Sequence, residues 1–338
     1  MSVPESDIAQ ESGVDQAEAS CLYGPVPSWR LGRSLGIDPI PLKTCNWNCV
    51  YCQLGRTQPL TCRRDNYVLP GMVAMQIRGF FEIHSVDDVD WLTFVGAGEP
   101  LLHAQIGRMI RDAVALTDLP VAVITNGSLL YRPEVRREVS AAQAVLPSLD
   151  AGTAELYRRL NRPHPEVTFQ RHVDGLTAFR QEYRGHLWIE VMLVRGLNDT
   201  EQALEQIARL LRRIHPDEIH INTPTRSPAE PWVQGPDRER IMQAAAHLDR
   251  VAPVRMASPT TNGSFNLSGC DSVVDGIVGI ITRHPMSEEE LERELGRWAP
   301  GHVQEVLAKL ADGGRTRVVV RDNKRFWHAA SSHFPEGG

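Results

Sequence analysis

No apolar run in this 338-residue chain approaches membrane-spanning length, and the N-terminus shows no charged segment leading into an apolar one. A bilayer span and a secretory leader are therefore not expected, and the cytoplasm is the default compartment. Net positive charge is missing too: 36 Lys and Arg face 42 Asp and Glu, a balance of −6. This argues against a protein that coats nucleic acid through bulk electrostatics, although a local basic site stays open. Cysteine is scarce, with six in the chain, three of them in one short stretch. That usage points away from a disulfide framework and toward metal binding in a reducing compartment. Residues 1–20 lack Lys and Arg, carry Glu5, Asp7, Glu11, Asp15 and Glu18, and hold few large apolar side chains. They are expected to form a disordered acidic tail. Against these absences stands an apolar content of 42%, enough for one large domain and a small one.

The concentrated cysteines are Cys45, Cys49 and Cys52, spaced C-x3-C-x2-C, with Tyr51 just before the last. Three thiolates in eight residues make a metal site one ligand short of the four that close a cubane iron–sulfur cluster, which leaves one iron able to bind something else. A zinc site lacking its fourth ligand, or idle reduced cysteines, are the alternatives. Nothing after Cys52 supplies a second C-x2-C pair at zinc-ribbon spacing.

This stretch resembles the hallmark of the radical S-adenosylmethionine (SAM) enzymes, C-x3-C-x-aromatic-C on the loop after the first strand. The resemblance implies a [4Fe-4S] cluster on Cys45, Cys49 and Cys52, with SAM chelating the unique iron and giving a carbon radical when a carbon–sulfur bond is broken reductively. It also implies an electron donor of flavodoxin or ferredoxin type. The wider text, from Tyr23-Gly24-Pro25 through Pro41-Leu42-Lys43-Thr44 to Gln53-Leu54-Gly55-Arg56-Thr57, is similar to the wyosine-synthetase-like iron–sulfur oxidoreductases, a branch of this family, over about residues 22–255. In that branch the position of Trp29 is commonly a second arginine, so exchange of a cation for an indole implies altered substrate choice.

From Leu35 onward short apolar runs alternate with segments of helical period. Strands are expected over residues 36–42, 91–95, 121–125, 144–148, 186–193 and 218–222, and helices over 72–84, 103–116, 133–141, 168–183, 200–214 and 237–248. Such alternation gives an α/β fold with a parallel sheet. Six units suit the open partial (β/α)6 barrel that radical SAM proteins use, with the site at the carboxyl ends of the strands. Polar residues do punctuate those ends. Gly96-Ala97-Gly98-Glu99-Pro100 resembles the family's GGEP element, which implies that Gly98, Glu99 and Pro100 meet the SAM amino group. Asn126, Ser148, Asp150, Glu190 and Asn222 hold, by the same resemblance, the ribose, the methionine carboxylate or the substrate; as plain chemistry each could equally be a cap or turn former. Tyr51 is expected to place the adenine through its backbone and to pack the cluster loop.

No catalytic side chain is marked beyond these, and Cys62, Cys270 and Arg195 are the candidates. Arg162, Arg195 and Arg226 could clamp a carboxylate or phosphate, or sit at the surface. Lys43 is expected to be structural beside the cluster, and His164, His172, His186 and His220 ordinary. The spare thiols Cys21, Cys62 and Cys270 would suit a soft ion such as trivalent arsenic, or be idle. Only Cys21 precedes the motif, so a second cluster like that of true tRNA wyosine synthases is not expected.

The organisation expected is a tail at 1–20, a partial barrel at 21–256, a linker at 257–270 and a C-terminal domain at 271–338. That domain reads as helices over 272–282, 287–296 and 302–312, then a hairpin of 315–321 and 325–328, the pattern of a winged helix. Its wing carries Arg315, Arg317, Arg321, Lys324 and Arg325, which would suit a phosphate backbone, although protein docking or a lid role has the edge. Three functions follow. The first is hydrogen abstraction from a substrate, small molecule or tRNA base, by a radical made from SAM. The second is transfer of the 3-amino-3-carboxypropyl group of SAM to a soft nucleophile, as in organoarsenical antibiotic biosynthesis. The third is a redox-sensing winged-helix regulator, which would have no need of the Gly98-Glu99 element.

Overall fold

The computed structural model describes residues 20–256, 272–321 and 323–335. The acidic tail up to residue 19 and the expected linker with Cys270 lie outside them. Eight strands build one sheet in chain order: β1 (Leu22–Ser28), β2 (Gly32–Ile37), β3 (Trp91–Phe94), β4 (Val121–Thr125), β5 (Ala144–Pro147), β6 (His186–Met192), β7 (Glu218–Asn222) and β8 (Val254–Met256). β1 and β2 pair antiparallel as a hairpin; every later pairing is parallel. Around this curled, open sheet run α1 (Pro70–Ile83), α2 (Ile106–Leu116), α3 (Pro133–Val139), α4 (Ala154–Leu160), α5 (Phe169–Glu182), α6 (Glu201–Ile214) and α7 (Arg238–Leu248).

The helices start where side-chain oxygens replace missing backbone acceptors. Thr168, Thr200 and Asp237 accept from the amides of Arg171, Ala203 and Arg240. α6 then buries Ala203, Leu204, Ile207, Ala208, Leu211 and Ile214, one stripe of helical period against the sheet. Each large aliphatic side chain there contributes about 1.5–3 kcal/mol.

All six expected strands are present, with two additions at the sheet's ends. The first expected strand lies earlier, at Gly32–Ile37, because the chain leaves the sheet after Ile37 to form the cysteine loop. β1 holds Pro25 and Pro27, residues that argue against a central strand, and it accommodates them as the terminal strand of the sheet. α4 was not expected either. Among the described residues no helix is long and apolar enough to cross a membrane.

The C-terminal unit holds α8 (Val273–Arg283), β9 (Met286–Ser287), α9 (Glu288–Trp298), α10 (Val303–Asp312), β10 (Thr316–Arg321) and β11 (Lys324–Ala329), with sheet order β10-β11-β9. Its own core gathers Ile277, Ile281, Met286, Leu291, Leu295 and Trp327. Ser287 and Glu290 close the expected capping box at the head of α9. This unit is fastened to the barrel mouth. The amide of Arg56 donates to the His333 carbonyl at 2.6 Å, and Gly55, with φ +83°, lies so close to His333 that a Cβ would strike its backbone. Arg283, at the end of α8, pairs with Asp38 at 2.6 Å.

Candidate active site

The loop between β2 and α1 carries the cysteines into a cavity of about 290 Å3 at the carboxyl ends of the strands. Cys45, Cys49 and Cys52 all line it, together with Tyr51 and Gly98. Each sulfur has an N–H donor beside it. Lys43 Nζ lies 3.1 Å from Cys52 Sγ, Asn126 Nδ2 3.8 Å from Cys45 Sγ, and Asn161 Nδ2 3.8 Å from Cys49 Sγ. Burial pushes the Cys45 thiol up to about 12 and raises Cys49 well above its usual value, so bare thiolates are disfavoured here and need cationic or metal partners. Among the described residues no three His, Cys, Asp or Glu side chains converge on one ion. A four-iron cluster is wider than one ion and needs sulfurs set around a void with N–H donors outside them, and this donor set fits it.

The glycine-rich turn after β3 seats this loop. Lys43 N donates to Ala97 O at 2.7 Å and Glu99 N to Thr44 O at 2.9 Å. A side chain on Gly98 would collide with the Thr44 carbonyl, so the close approach requires glycine. Glu99 is buried, and its carboxylate accepts from the Thr125 hydroxyl (2.6 Å), the Asn126 amide (2.7 Å) and the Leu101 amide (3.0 Å). It holds the turn after β4; burial outweighs these bonds and lifts its pKa to about 6. Pro100 follows as the buried start of a short helical turn.

Asp150 plays the equivalent part after β5. It takes the Tyr51 hydroxyl, Asn161 Nδ2 at 2.7 Å and the Met192 amide at 2.8 Å, and burial raises it to about 6. Tyr51 is thereby fixed by its hydroxyl as well as by its loop. Asn161, not anticipated from the sequence, joins Asp150 to the cysteine loop.

Other expected contacts stand back from the cavity wall. Glu190 points into the barrel but is ion-paired with Arg30, and Asn222 donates to it at 3.3 Å. Trp29, stacked under Arg30 and 5.2 Å from His220, belongs to this same plug beneath the site, not to its wall. The Ser148 carbonyl is hydrogen-bonded with the His172 ring at 3.0 Å. Of the catalytic candidates, Arg195 is exposed outside the cavity beside Gln234, and Cys62 is buried among Asn46, Arg132 and Glu166 with its thiol pushed up to about 11. Neither faces the cysteines, because Arg195 follows the end of β6 outward and Cys62 has already passed behind the loop. Cys270 lies outside the described residues.

Two arginines do reach the cavity. Arg226, expected after β7, lines it and meets His284 at 2.7 Å and Glu290 at 3.4 Å. Arg283 comes from the C-terminal unit and was missed, since its approach depends on contacts far apart in sequence.

A model of the radical SAM superfamily matches residues 40–211, half of the chain. This chain belongs to the radical SAM superfamily. It is accordingly a radical SAM enzyme whose cofactors are a [4Fe-4S] cluster and SAM. A UPF0026 protein of Methanocaldococcus jannaschii is 31% identical over 311 residues, covering 90% of this chain and 94% of that one. A Brachyspira hyodysenteriae protein named GTPase Obg is 31% identical over 299 residues, 88% of this chain but 44% of its own length, so this radical SAM chain spans less than half of that relative. Among solved structures, Streptococcus suis SuiB bound to its precursor peptide SuiA aligns with TM-score 0.50 and 13% identity over 67% of this chain and 48% of its own, a likeness of fold. TYW1 with a bound lysine-pyruvate adduct aligns with TM-score 0.49 and 18% identity over 65% of this chain and 74% of its own.

Proposed function

We propose that this radical SAM enzyme abstracts hydrogen from a small-molecule substrate enclosed between the strand ends and a winged-helix C-terminal module. When bound, the cluster on Cys45, Cys49 and Cys52 supplies the electron that breaks a carbon–sulfur bond of SAM. The chain's own residues prepare the place. Lys43, Asn126 and Asn161 direct N–H groups at the sulfurs, Gly98 lets the backbone approach, and Glu99 and Asp150 hold the turns that frame the cavity. Arg226 and Arg283 line it, their guanidinium groups held by Glu290 and Asp38.

The observation that carries the choice of a small substrate is the roof. The C-terminal unit has the helix–strand–helix–helix–hairpin order of a winged helix, and it sits over the mouth through Arg283, His333 and Arg321, the last donating to the carbonyls of Arg226 and Val233. Part of the charge on its expected nucleic-acid surface is offset: Arg315 pairs with Asp275, Arg325 with Glu288, and Arg317 lies against Ser332 O and the Phe334 ring, while Lys324 stays exposed. A tRNA substrate therefore has less in its favour than a ligand that fits beneath the roof. The soft-nucleophile alternative gains nothing from Cys21 and Cys62, whose thiols burial keeps protonated.

Anaerobically reconstituted enzyme given dithionite and SAM tests the reading. It predicts 5′-deoxyadenosine; 5′-methylthioadenosine as the product would replace it with aminocarboxypropyl transfer. A mobility shift with tRNA that disappears in Arg315→Glu/Arg325→Glu protein would restore the nucleic-acid reading.

A further inference from the structure

Reductive cleavage of SAM consumes one electron for each carbon–sulfur bond broken, and that electron has to come from a donor that reaches the cysteine loop from outside. The barrel mouth is roofed, but the loop has a second side. Between Cys45 and Cys52 the amide of Asn48 donates to the carbonyls of Asn161 and Arg162 at 3.0 and 3.2 Å, that of Val50 to Leu160 O at 2.9 Å, and Val50 O accepts from the Glu230 amide at 3.0 Å. Residues 160–162 and Glu230 thus form a layer directly on the backbone of the cysteine loop.

That layer is cationic on an acidic protein. The Glu230 side chain is 5% exposed and binds both Arg56 (2.9 and 2.8 Å) and Arg162, each 37% exposed. One sunken carboxylate therefore fixes two guanidinium groups at the surface and leaves a positive excess. The same loop turns at Val233, whose amide donates to Glu230 O at 3.1 Å, and sets Trp232 54% exposed. Exposed Arg195 is tied alongside by its amide to Gln234 O at 2.9 Å. An exposed indole among preordered arginines has the composition of a protein-binding hot spot, and it sits in a chain of net charge −6.

We infer that a small acidic one-electron carrier protein docks on the face formed by Arg56, Arg162, Arg195 and Trp232 and passes its electron inward through the cysteine loop. The inference rests on the proposed reductive cleavage of SAM. Per turnover the carrier loses one electron and one SAM carbon–sulfur bond breaks. Charge complementarity speeds encounter, and the Glu230 amide, bonded to Val50 O at 3.0 Å, ties this face directly to the backbone of the cysteine loop.

The test uses holoenzyme and a bacterial flavodoxin. In Arg195→Glu/Trp232→Ala protein, calorimetric binding of flavodoxin weakens about tenfold or more, and 5′-deoxyadenosine formation driven by subsaturating reduced flavodoxin falls in step, while the dithionite-driven rate is unchanged. Raising salt from about 50 to about 300 mM slows the flavodoxin-driven reaction of the unaltered enzyme and leaves the dithionite reaction as it was. Flavodoxin binding and flavodoxin-driven cleavage equal to those of the unaltered enzyme would overturn the docking face. If the unaltered enzyme cleaves no SAM with dithionite, the underlying reading fails, and the calorimetric comparison still decides whether this surface binds the carrier.

Discussion

Replacing Arg283 by methionine removes the cation from a nearly buried pair. Asp38 is left 2% exposed with only the amides of Ile40 (3.2 Å) and Ala97 (3.3 Å) to meet its charge, where it now has a guanidinium at 2.6 Å. Breaking such a pair costs about 3–5 kcal/mol, most of it from the stranded carboxylate. Asp38→Asn in the same protein removes that charge, so the double variant recovers most of the loss, with a coupling of about 2–3 kcal/mol. The pH dependence has a definite sign. Burial already raises Asp38 above 3.8 while Arg283 opposes it; without the arginine the folded-state value climbs further. The folded variant then binds more protons than the unfolded chain between the two values, so its deficit is largest near neutrality and shrinks as pH falls toward the unfolded value. Urea unfolding of the anaerobic apoprotein, followed by tryptophan fluorescence at several pH values, reads both effects. A deficit below about 1 kcal/mol, or one that does not change with pH, would refute the claim that this pair fastens the C-terminal unit to the mouth.

His172 is buried against Trp47 and Tyr157 and held near 4, down from 6.5, by burial. The unfolded chain therefore binds the extra proton first, and about 3 kcal/mol of stability is lost as pH falls from 6.5 toward 4; His172→Gln should flatten that slope, and an unchanged slope in urea midpoints would count against it. Gly98→Ala drives a methyl into the Thr44 carbonyl, so iron and sulfide per chain after reconstitution should fall to less than half, whereas Gly71→Ala, which meets nothing nearby, should leave both intact. Equal cluster content in the two variants would show that the close approach at Gly98 is dispensable.

Much of the scaffold was legible because period and punctuation agree. Five of the six expected βα strands, the capping box at Ser287 and the cysteine spacing each rest on a local pattern that no distant contact overrides, whereas the first strand, expected at 36–42, lies at Gly32–Ile37. β1 was hidden by Pro25 and Pro27, which read as loop until the strand is seen to lie at the sheet's edge. The site divides in the same way. Cys45, Cys49, Cys52, Tyr51 and Gly98 fell on the cavity because a motif and a glycine turn marked them. Glu99 and Asp150 were found as polar strand-end residues, yet they brace the turns behind that wall. Glu190 looked like a ligand contact since it interrupts an apolar run, and the partner that occupies it, Arg30, comes from the hairpin at the other end of the sheet. Arg283 and Glu230 carried no signal at all: each acquires its place only when segments 174 or more residues apart meet. The wing arginines show the converse, since a cationic stretch in sequence folds onto Asp275, Glu288 and backbone carbonyls.

The central claim is that three sulfurs in one loop hold the cluster at which SAM is cleaved. Cys49→Ala and unaltered protein, reconstituted side by side without oxygen, should differ completely: about four iron and four sulfide per chain with 5′-deoxyadenosine formed in the unaltered enzyme, and neither a stable cluster nor SAM cleavage in the variant. Full iron, sulfide and SAM cleavage in Cys49→Ala protein would contradict it.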